Sequence, residues 1–181
     1  WEVYIDSMMR EAEWINVGYI PTLREYLDNG KVSSGIRITV LSSILLLDAL
    51  LTEKVLSEID YPSRFEELLG LTFRLRGDLQ TFKAEANRGE VASCITSYMR
   101  DHPESIEEDA INYINELLDE FLKELNWEYL KASNVPTICE DHAYNISRCF
   151  QLFYKERDGF SISNQDMKNH VTKILVDPVA M

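Results

Sequence analysis

The sequence has few of the features of secreted, membrane-spanning or nucleic-acid-binding proteins. Its three cysteines are widely and irregularly spaced, which favours a reduced, intracellular protein. The longest apolar stretch, residues 40–51, is broken by two serines and an aspartate and is shorter than the roughly 18 residues of a membrane span. Lysine and arginine number 18 against 31 aspartates and glutamates, and the net charge of −13 argues against nucleic acid as a partner, because phosphates would be repelled.

Two catalytic classes also lack support in the sequence. Cys139 and His142 have a zinc-like spacing, but no second pair completes four ligands. No serine or cysteine nucleophile has a recognisable partner, so hydrolase chemistry is not supported. With 181 residues and 45% hydrophobic content, the chain is long enough for one substantial core, in one domain or part of one. Since Trp1 is not a natural start, we expect a fragment or a processed product.

Helix signals fill the chain, and no segment has the strict alternation of a half-buried strand. Capping-box patterns predict three helix starts, at residues 63–66, 105–108 and 137–140. Glycines predict three helix ends, at Gly30, Gly89 and Gly159. Because the connections are short, we expect an all-α fold built as one antiparallel helical bundle. The predicted helices cover residues 2–17, 21–29, 34–51, 53–59, 64–88, 90–101, 106–131, 138–157 and 164–176.

The segment 74–85 carries the most specific chemistry. At about 100° per residue, Arg74, Asp78, Thr81 and Glu85 fall within an arc of roughly 60° on one helix. Carboxylate and hydroxyl oxygens are the ligands that Mg²⁺ prefers, and Mg²⁺ is often shared with substrate phosphates. An arginine one turn earlier could bind a phosphate oxygen on that metal. The alternative is an ordinary solvated charged face.

This segment resembles the second metal-binding motif of class I terpene synthases. In that motif, Asn or Asp is followed at four-residue intervals by Ser or Thr and then by Glu. Thr81 and Glu85 occupy the second and third positions, and Arg74 matches an upstream arginine associated with the substrate diphosphate. Gly77 stands at the first position and has no side chain to coordinate a metal. The resemblance therefore leaves two alternatives, a water at that place or the adjacent Asp78 turned toward it.

The resemblance extends along the whole chain and is strongest to the conifer branch of the family. The matching stretches outside the motif include residues 13–14, 18–22, 25–29, 33–35, 88–94, 98–101, 107–110, 154–159 and 176–178. It implies that residues 1–181 are the C-terminal half of the class I terpenoid synthase α-domain. The family's first motif, the aspartate-rich DDxxD, does not occur between Trp1 and Met181. The segment alone is therefore expected to be inactive and to need the remainder of its own chain upstream.

The resemblance also implies a segment that lines the product pocket. Ser33, Ser34 and Gly35 match a helix break whose backbone carbonyls can stabilise a carbocation, and they are assigned to substrate binding together with Arg74 and Phe160. From the residues alone, the Ser-Ser-Gly segment has a second explanation, an N-cap for the apolar helix that follows. The two explanations are compatible.

A second implied segment closes the pocket over the substrate. Phe153, Tyr154, Asp158 and Phe160 surround this turn, and the first three are assigned catalytic roles together with Arg74. Aromatic faces can stabilise a cation by roughly 0.5–2 kcal/mol when desolvated, although aromatic residues at helical spacing are more often core. Some relatives carry tyrosine at the place of Phe153. Here the hydroxyl has moved to Tyr154 or is absent, which leaves a proton-relay role open.

The resemblance implies a Mg²⁺-dependent terpene synthase, with Mn²⁺ as a substitute, that ionises and cyclises a prenyl diphosphate through carbocations. We expect farnesyl diphosphate as substrate and a bisabolene-type sesquiterpene as product. The alternatives are a diterpene synthase acting on geranylgeranyl or copalyl diphosphate, and a non-catalytic helical interaction protein or degenerate synthase. A monomer in the cytoplasm is expected. The plastid is the alternative, since a transit peptide would lie upstream of this segment.

Overall fold

The computed structural model describes residues 1–60, 63–131, 133–155, 158–159 and 165–176, and in these ranges the chain forms nine α-helices and no strand. The predicted all-α fold is confirmed. Within the same ranges, no helix combines the length and apolar content needed to cross a membrane. The helices are α1 (Glu2–Val17), α2 (Leu23–Ser33), α3 (Ile36–Ile44), α4 (Glu53–Asp60), α5 (Arg64–Ala86), α6 (Cys94–Asp101), α7 (Glu107–Leu130), α8 (Thr137–Phe153) and α9 (Gln165–Leu175).

One of the three predicted capping boxes is present. At the start of α5, the Ser63 hydroxyl accepts the Glu66 N–H at 3.2 Å, and the Glu66 carboxylate accepts the Ser63 N–H. The prediction at 105–108 is wrong by one residue, because the cap bond runs from the Ile106 N–H to Asp109. The prediction at 137–140 is also wrong, since α8 follows Pro136 without a side-chain cap bond. Instead, the Ser105 hydroxyl donates to the His102 carbonyl, and the Glu140 carboxylate accepts the Ser133 hydroxyl of the preceding loop.

Two of the incorrect helix boundaries have identifiable causes, one local and one a contact between helices. The predicted helix 34–51 ends at Ile44, where the Ser43 hydroxyl donates to the carbonyls of Thr39 and Val40 one turn back. Gly30 does not end α2, which continues to Ser33. A Cβ at Gly30 would lie 3.1 Å from Cγ of Arg74, so this glycine provides room for the arginine side chain of α5.

Helix α5 is the centre of the bundle and packs against α2, α3, α6, α7 and α8. It contributes Leu68 and Leu69 to one apolar cluster and Leu75 to a second. Leu79 and Phe82 are partly buried against the second cluster, so the apolar side of the helix is directed into the bundle as predicted. This packing fixes the direction of the polar stripe that the same helix carries.

Helices α2 and α5 approach each other closely at Gly70. A Cβ built on Gly70 would lie 2.3 Å from the carbonyl oxygen of Lys31, which is too close for any real contact. The two backbones therefore pack directly against each other there. A side chain at position 70 would have to separate the helices.

We expect Gly70→Ala to lower the free energy of unfolding by about 1–3 kcal/mol, because the methyl group must displace backbone rather than a flexible side chain. Gly77→Ala on the same helix is the matched control. Its Cβ would meet only ordinary contacts at 3.8 Å or more, so helix propensity should leave it neutral or up to about 1 kcal/mol more stable. Chemical denaturation of both variants checks this, and equal stabilities would contradict it.

Candidate metal and diphosphate site

Arg74 is held between three helices rather than directed into solvent. Its Nη2 donates to the Glu11 carboxylate of α1 at 2.9 Å and to the Ser33 hydroxyl of α2 at 2.8 Å. The side chains of Arg74 and Glu11 are both only 20% exposed. The guanidinium also lies 5.8 Å from the ring centroid of Tyr26. Sequence reasoning missed Glu11, which is 63 residues away along the chain and carries no local signal.

The segment 33–35 is a break between two helices, as the resemblance implies. Helix α2 ends at Ser33, and α3 begins at Ile36 after Gly35, whose φ of +71° is in the left-handed region that favours glycine. The N-cap explanation of this segment is confirmed at Gly35, which is the N-cap of α3, although no side chain accepts a bond there. The Ser33 hydroxyl instead donates to Glu11, and the Ser34 hydroxyl to the Lys31 carbonyl. The break is thereby connected to Arg74.

Asp78 is the most deeply buried of the four stripe residues and is 4% exposed. Its Oδ2 accepts the backbone N–H of Cys94, the first residue of α6, at 2.7 Å. Burial raises the pKa of Asp78, while the positive charge of Arg74 and the Cys94 N–H act in the opposite direction. This carboxylate therefore connects α5 to the start of α6.

Thr81 and Glu85 lie further along the stripe and are both half-buried. The Thr81 hydroxyl donates to the Gly77 carbonyl at 3.1 Å, which leaves its oxygen lone pairs able to accept or to coordinate. Burial, followed by the negative charge of Asp78, raises the pKa of Glu85. A carboxylate held in such surroundings is stabilised by a cation.

Of the four stripe residues, two line the same cavity. Arg74 and Glu85 border a space of about 70 Å³ together with Glu11, Tyr26 and Trp14 and three further residues. Asp78 and Thr81 are not among its lining residues. The structure therefore places one cation, Arg74, and three carboxylates, those of Glu11, Glu85 and Glu90, around a small cavity.

Tyr154, at the C-terminal end of α8, packs against α5 at Gly77. A Cβ built on Gly77 would lie 3.8 Å from Cζ and 4.0 Å from the hydroxyl oxygen of Tyr154. The tyrosine is 9% exposed, and its ring makes an edge contact with Phe73 at a centroid distance of 5.9 Å. Burial, followed by the negative charges of Asp158, Glu85 and Asp78, raises the pKa of Tyr154 to about 12. The sequence identifies Tyr154 as a candidate but does not predict its pairing with Gly77.

The turn after α8 is fixed by its backbone. The Gly159 N–H donates to the Phe153 carbonyl at 3.0 Å, and a Cβ on Gly159 would lie 2.4 Å from that same oxygen. Only glycine fits this position. Asp158 beside it is 8% exposed and Phe153 is half-buried, whereas Phe160 lies outside the described residues.

The side-chain oxygens of Thr81 and Glu85 fit one of the ways in which proteins bind Mg²⁺. Across the described ranges, no three His, Cys, Asp or Glu side chains lie close enough together to hold a metal ion. Mg²⁺ does not require such a cage, because it usually keeps several waters and uses one or two carboxylates together with substrate phosphates. Thr81 and Glu85 on one side and phosphate oxygens near Arg74 on the other fit this mode of binding.

A larger cavity of about 370 Å³ lies elsewhere, between α3, α5, α7 and α8. It is lined mainly by apolar side chains, including Val40, Leu69 and Cys139, and contains none of the predicted site residues. Close to it, His142 Nε2 lies 2.7 Å from the Ser43 hydroxyl, a contact that the sequence does not predict. That hydroxyl also donates to carbonyls of its own helix near the end of α3.

Residues 1–124 match the family model described as "Terpene synthase family, metal binding domain". The chain belongs to this family, whose members are lyases, and it is close to conifer terpene synthases. Chloroplastic alpha pinene synthase of Chamaecyparis formosensis is 61% identical over 179 residues, which cover 99% of this chain and 28% of that protein. The chain thus spans less than a third of the length of this relative.

Two solved structures share the fold over 99% of this chain. Abietadiene synthase from Abies grandis is 39% identical with a TM-score of 0.88, and the match covers 23% of that protein. A limonene synthase in complex with 2-fluorolinalyl diphosphate is 25% identical with a TM-score of 0.89, and the match covers 33% of it. The class I terpene synthase fold, expected from the resemblance, is confirmed.

We expect Glu85→Gln to make the metal-free protein more stable at neutral pH. Because the pKa of Glu85 is raised in the folded state, its contribution to stability falls as the pH rises through and above its ordinary value of 4.5. The glutamine variant should lose less stability than the wild type between about pH 4 and pH 7. Urea unfolding in a chelator checks this, with the exposed Glu120→Gln of α7 as control. A less stable Glu85→Gln at neutral pH would contradict it.

Proposed function

We propose that residues 1–181 form the C-terminal part of the catalytic domain of a terpene synthase that ionises and cyclises a prenyl diphosphate and releases diphosphate. The observation that carries this proposal is the placement of Arg74 and Glu85, which extend from one stripe of α5 to line one cavity. A cationic group for phosphate and an anionic group for metal are thereby only a few turns apart. The family match supports the same conclusion.

Each residue has a separate task in this proposal. Thr81 and Glu85 would hold Mg²⁺, which when bound stabilises the negative charge of the departing diphosphate. Arg74 would donate charge-assisted hydrogen bonds to the diphosphate oxygens. Asp78, bonded to the Cys94 N–H, would support the site through its charge and by fixing α6. The remaining metal ligands would come from a DDxxD motif upstream in the same chain, without which this segment would be inactive.

The pocket around the cation would be closed by the two segments that the resemblance implies. Ser33, Ser34 and Gly35 form a helix break connected to Arg74. The Gly35 carbonyl already accepts the N–H and the hydroxyl of Thr39, so the carbonyls of Ser33 and Ser34 are the ones proposed to face the pocket. Tyr154 lies beside Gly77 and is nearly buried, as is Asp158, and Phe153 is half-buried. An enclosed apolar site excludes water, which protects the carbocation from premature capture. Phe160 is proposed for the same closure from sequence alone.

The identity of the substrate is proposed from the relatives. Pinene and limonene, which name two of them, are ten-carbon hydrocarbons, and 2-fluorolinalyl diphosphate has the same chain length. We therefore favour a ten-carbon prenyl diphosphate. The expectation of farnesyl diphosphate and a bisabolene-type product is not confirmed. Abietadiene synthase, at 39% identity, keeps the twenty-carbon diphosphates as the second candidate.

The compartment and cofactor follow the same relatives. The pinene synthase is named as chloroplastic, which supports the plastid alternative over the cytoplasm for this protein. Magnesium is the favoured cation, because the oxygen ligands are hard and the substrate carries phosphates, and Mn²⁺ is proposed as its substitute. The enzyme is proposed to act as a monomer.

One observation favours a rival, a degenerate synthase that serves as a helical scaffold. Gly77 leaves the first position of the metal motif without a side chain. A scaffold would keep the packing of α5 and lose the metal dependence. Turnover therefore separates the two functions more directly than stability does.

We expect Glu85→Gln in the full-length enzyme to lower turnover of a prenyl diphosphate by about 10²-fold or more, because an anionic ligand is removed from a hard cation. Glu120→Gln on α7 is the matched control and should retain full turnover. Product analysis with ten-, fifteen- and twenty-carbon diphosphates measures both turnover and substrate preference. Equal turnover in both variants at limiting Mg²⁺ would contradict the proposal.

A further inference from the structure

The three motif positions of α5 carry one side-chain oxygen fewer than the family's metal-binding motif. Positions 77, 81 and 85 recur at four-residue intervals on one side of the helix, and only Thr81 and Glu85 contribute an oxygen. Asp78 is the carboxylate next to Gly77 in the sequence, but it accepts the N–H of Cys94 at the start of α6. If another group supplies the missing oxygen, it must come from a different helix.

Tyr154 of α8 brings an oxygen to that place. Its hydroxyl lies 4.0 Å from the position that a Cβ of residue 77 would take, within contact range of any longer side chain there. A methyl group at position 77 would touch the phenol at an ordinary distance, whereas a longer side chain would extend into the space beside the hydroxyl. The oxygen of Tyr154 therefore lies where a longer side chain at position 77 would extend.

The position of Tyr154 is well determined by its neighbours. The residue is 9% exposed, and its ring packs edge-on against Phe73, one turn before Gly77 on the same helix. The aromatic part of the side chain has a packing role in this contact. This ring contact fixes where the hydroxyl lies, which is beside Gly77 of α5.

We propose that the Tyr154 hydroxyl takes the place of the side-chain oxygen missing at Gly77 and completes the metal site formed by Thr81 and Glu85. The inference rests on the proposed function. A neutral phenol can both donate and accept a hydrogen bond, and Mg²⁺ retains several of its waters. Tyr154 therefore acts as a positioning residue that holds a metal-bound water where other members of the family have a ligand.

The test is a Mg²⁺ titration of the full-length protein with inorganic diphosphate, followed by the rise in thermal unfolding temperature. Tyr154→Phe keeps the ring and its contact with Phe73 and removes only the oxygen. It should raise the Mg²⁺ concentration at the midpoint roughly ten-fold, as expected for loss of a group that orients a metal ligand. Tyr129→Phe is the matched control, because its hydroxyl bonds to Asp141 at the contact of α7 with α8.

Two further variants make the outcome decisive. The double variant Gly77→Asp with Tyr154→Phe should return the midpoint to the wild-type value, because the carboxylate restores the oxygen on α5. Glu85→Gln tests the metal site itself. If Glu85→Gln raises the midpoint while Tyr154→Phe titrates like the wild type, the role of Tyr154 is overturned and the proposed function stands. If neither variant changes the midpoint, the metal site on α5 is overturned.

Discussion

The buried charge of Arg74 is the constraint on which the rest of the site depends. A guanidinium that is only 20% exposed must be paired, because removing a charge from water costs several kcal/mol unless other groups compensate it. Glu11 and Ser33 provide that compensation from two other helices, and Gly30 leaves room for the side chain. One cation on α5 thereby fixes the relative positions of α1, α2 and α5 around the cavity.

The same charge organises the acidic groups of the site. Asp78 and Glu85 lie on the same helix side as Arg74, and burial raises the pKa of both carboxyl groups. Such carboxylates reduce the stability of the metal-free fold at neutral pH and gain most when a cation arrives. The arrangement is therefore typical of a binding site, in which stability is lower until the ligands are bound.

Much of the fold could be predicted from local sequence, because helix periodicity and caps are local effects. The predicted range of α1, residues 2–17, matches the structure, and the start of α5 follows from the Ser63–Glu66 box. One incorrect boundary, the end of α2, is determined by a contact between helices. Gly30 reads as a helix end, but it is needed inside α2 because Arg74 packs against it, and this requirement is 44 residues away (74 − 30).

The site, too, can be predicted from local sequence only in part. The periodicity of α5 predicts that Arg74, Asp78, Thr81 and Glu85 share one side of a helix, and the family resemblance adds the metal and the diphosphate. Neither can predict that Asp78 is turned to Cys94, that Glu11 neutralises Arg74 or that Tyr154 covers Gly77. Each of these contacts joins separate helices, and only the packing of the bundle brings the partners together.

The most direct test of this account is a crystal structure of the full-length protein with Mg²⁺ and a non-reactive prenyl diphosphate analogue. The account predicts a metal ion coordinated by Thr81 and Glu85 and a diphosphate oxygen hydrogen-bonded to Arg74. A diphosphate bound elsewhere, with Arg74 still paired only to Glu11 and Ser33 and no metal beside Glu85, would contradict it.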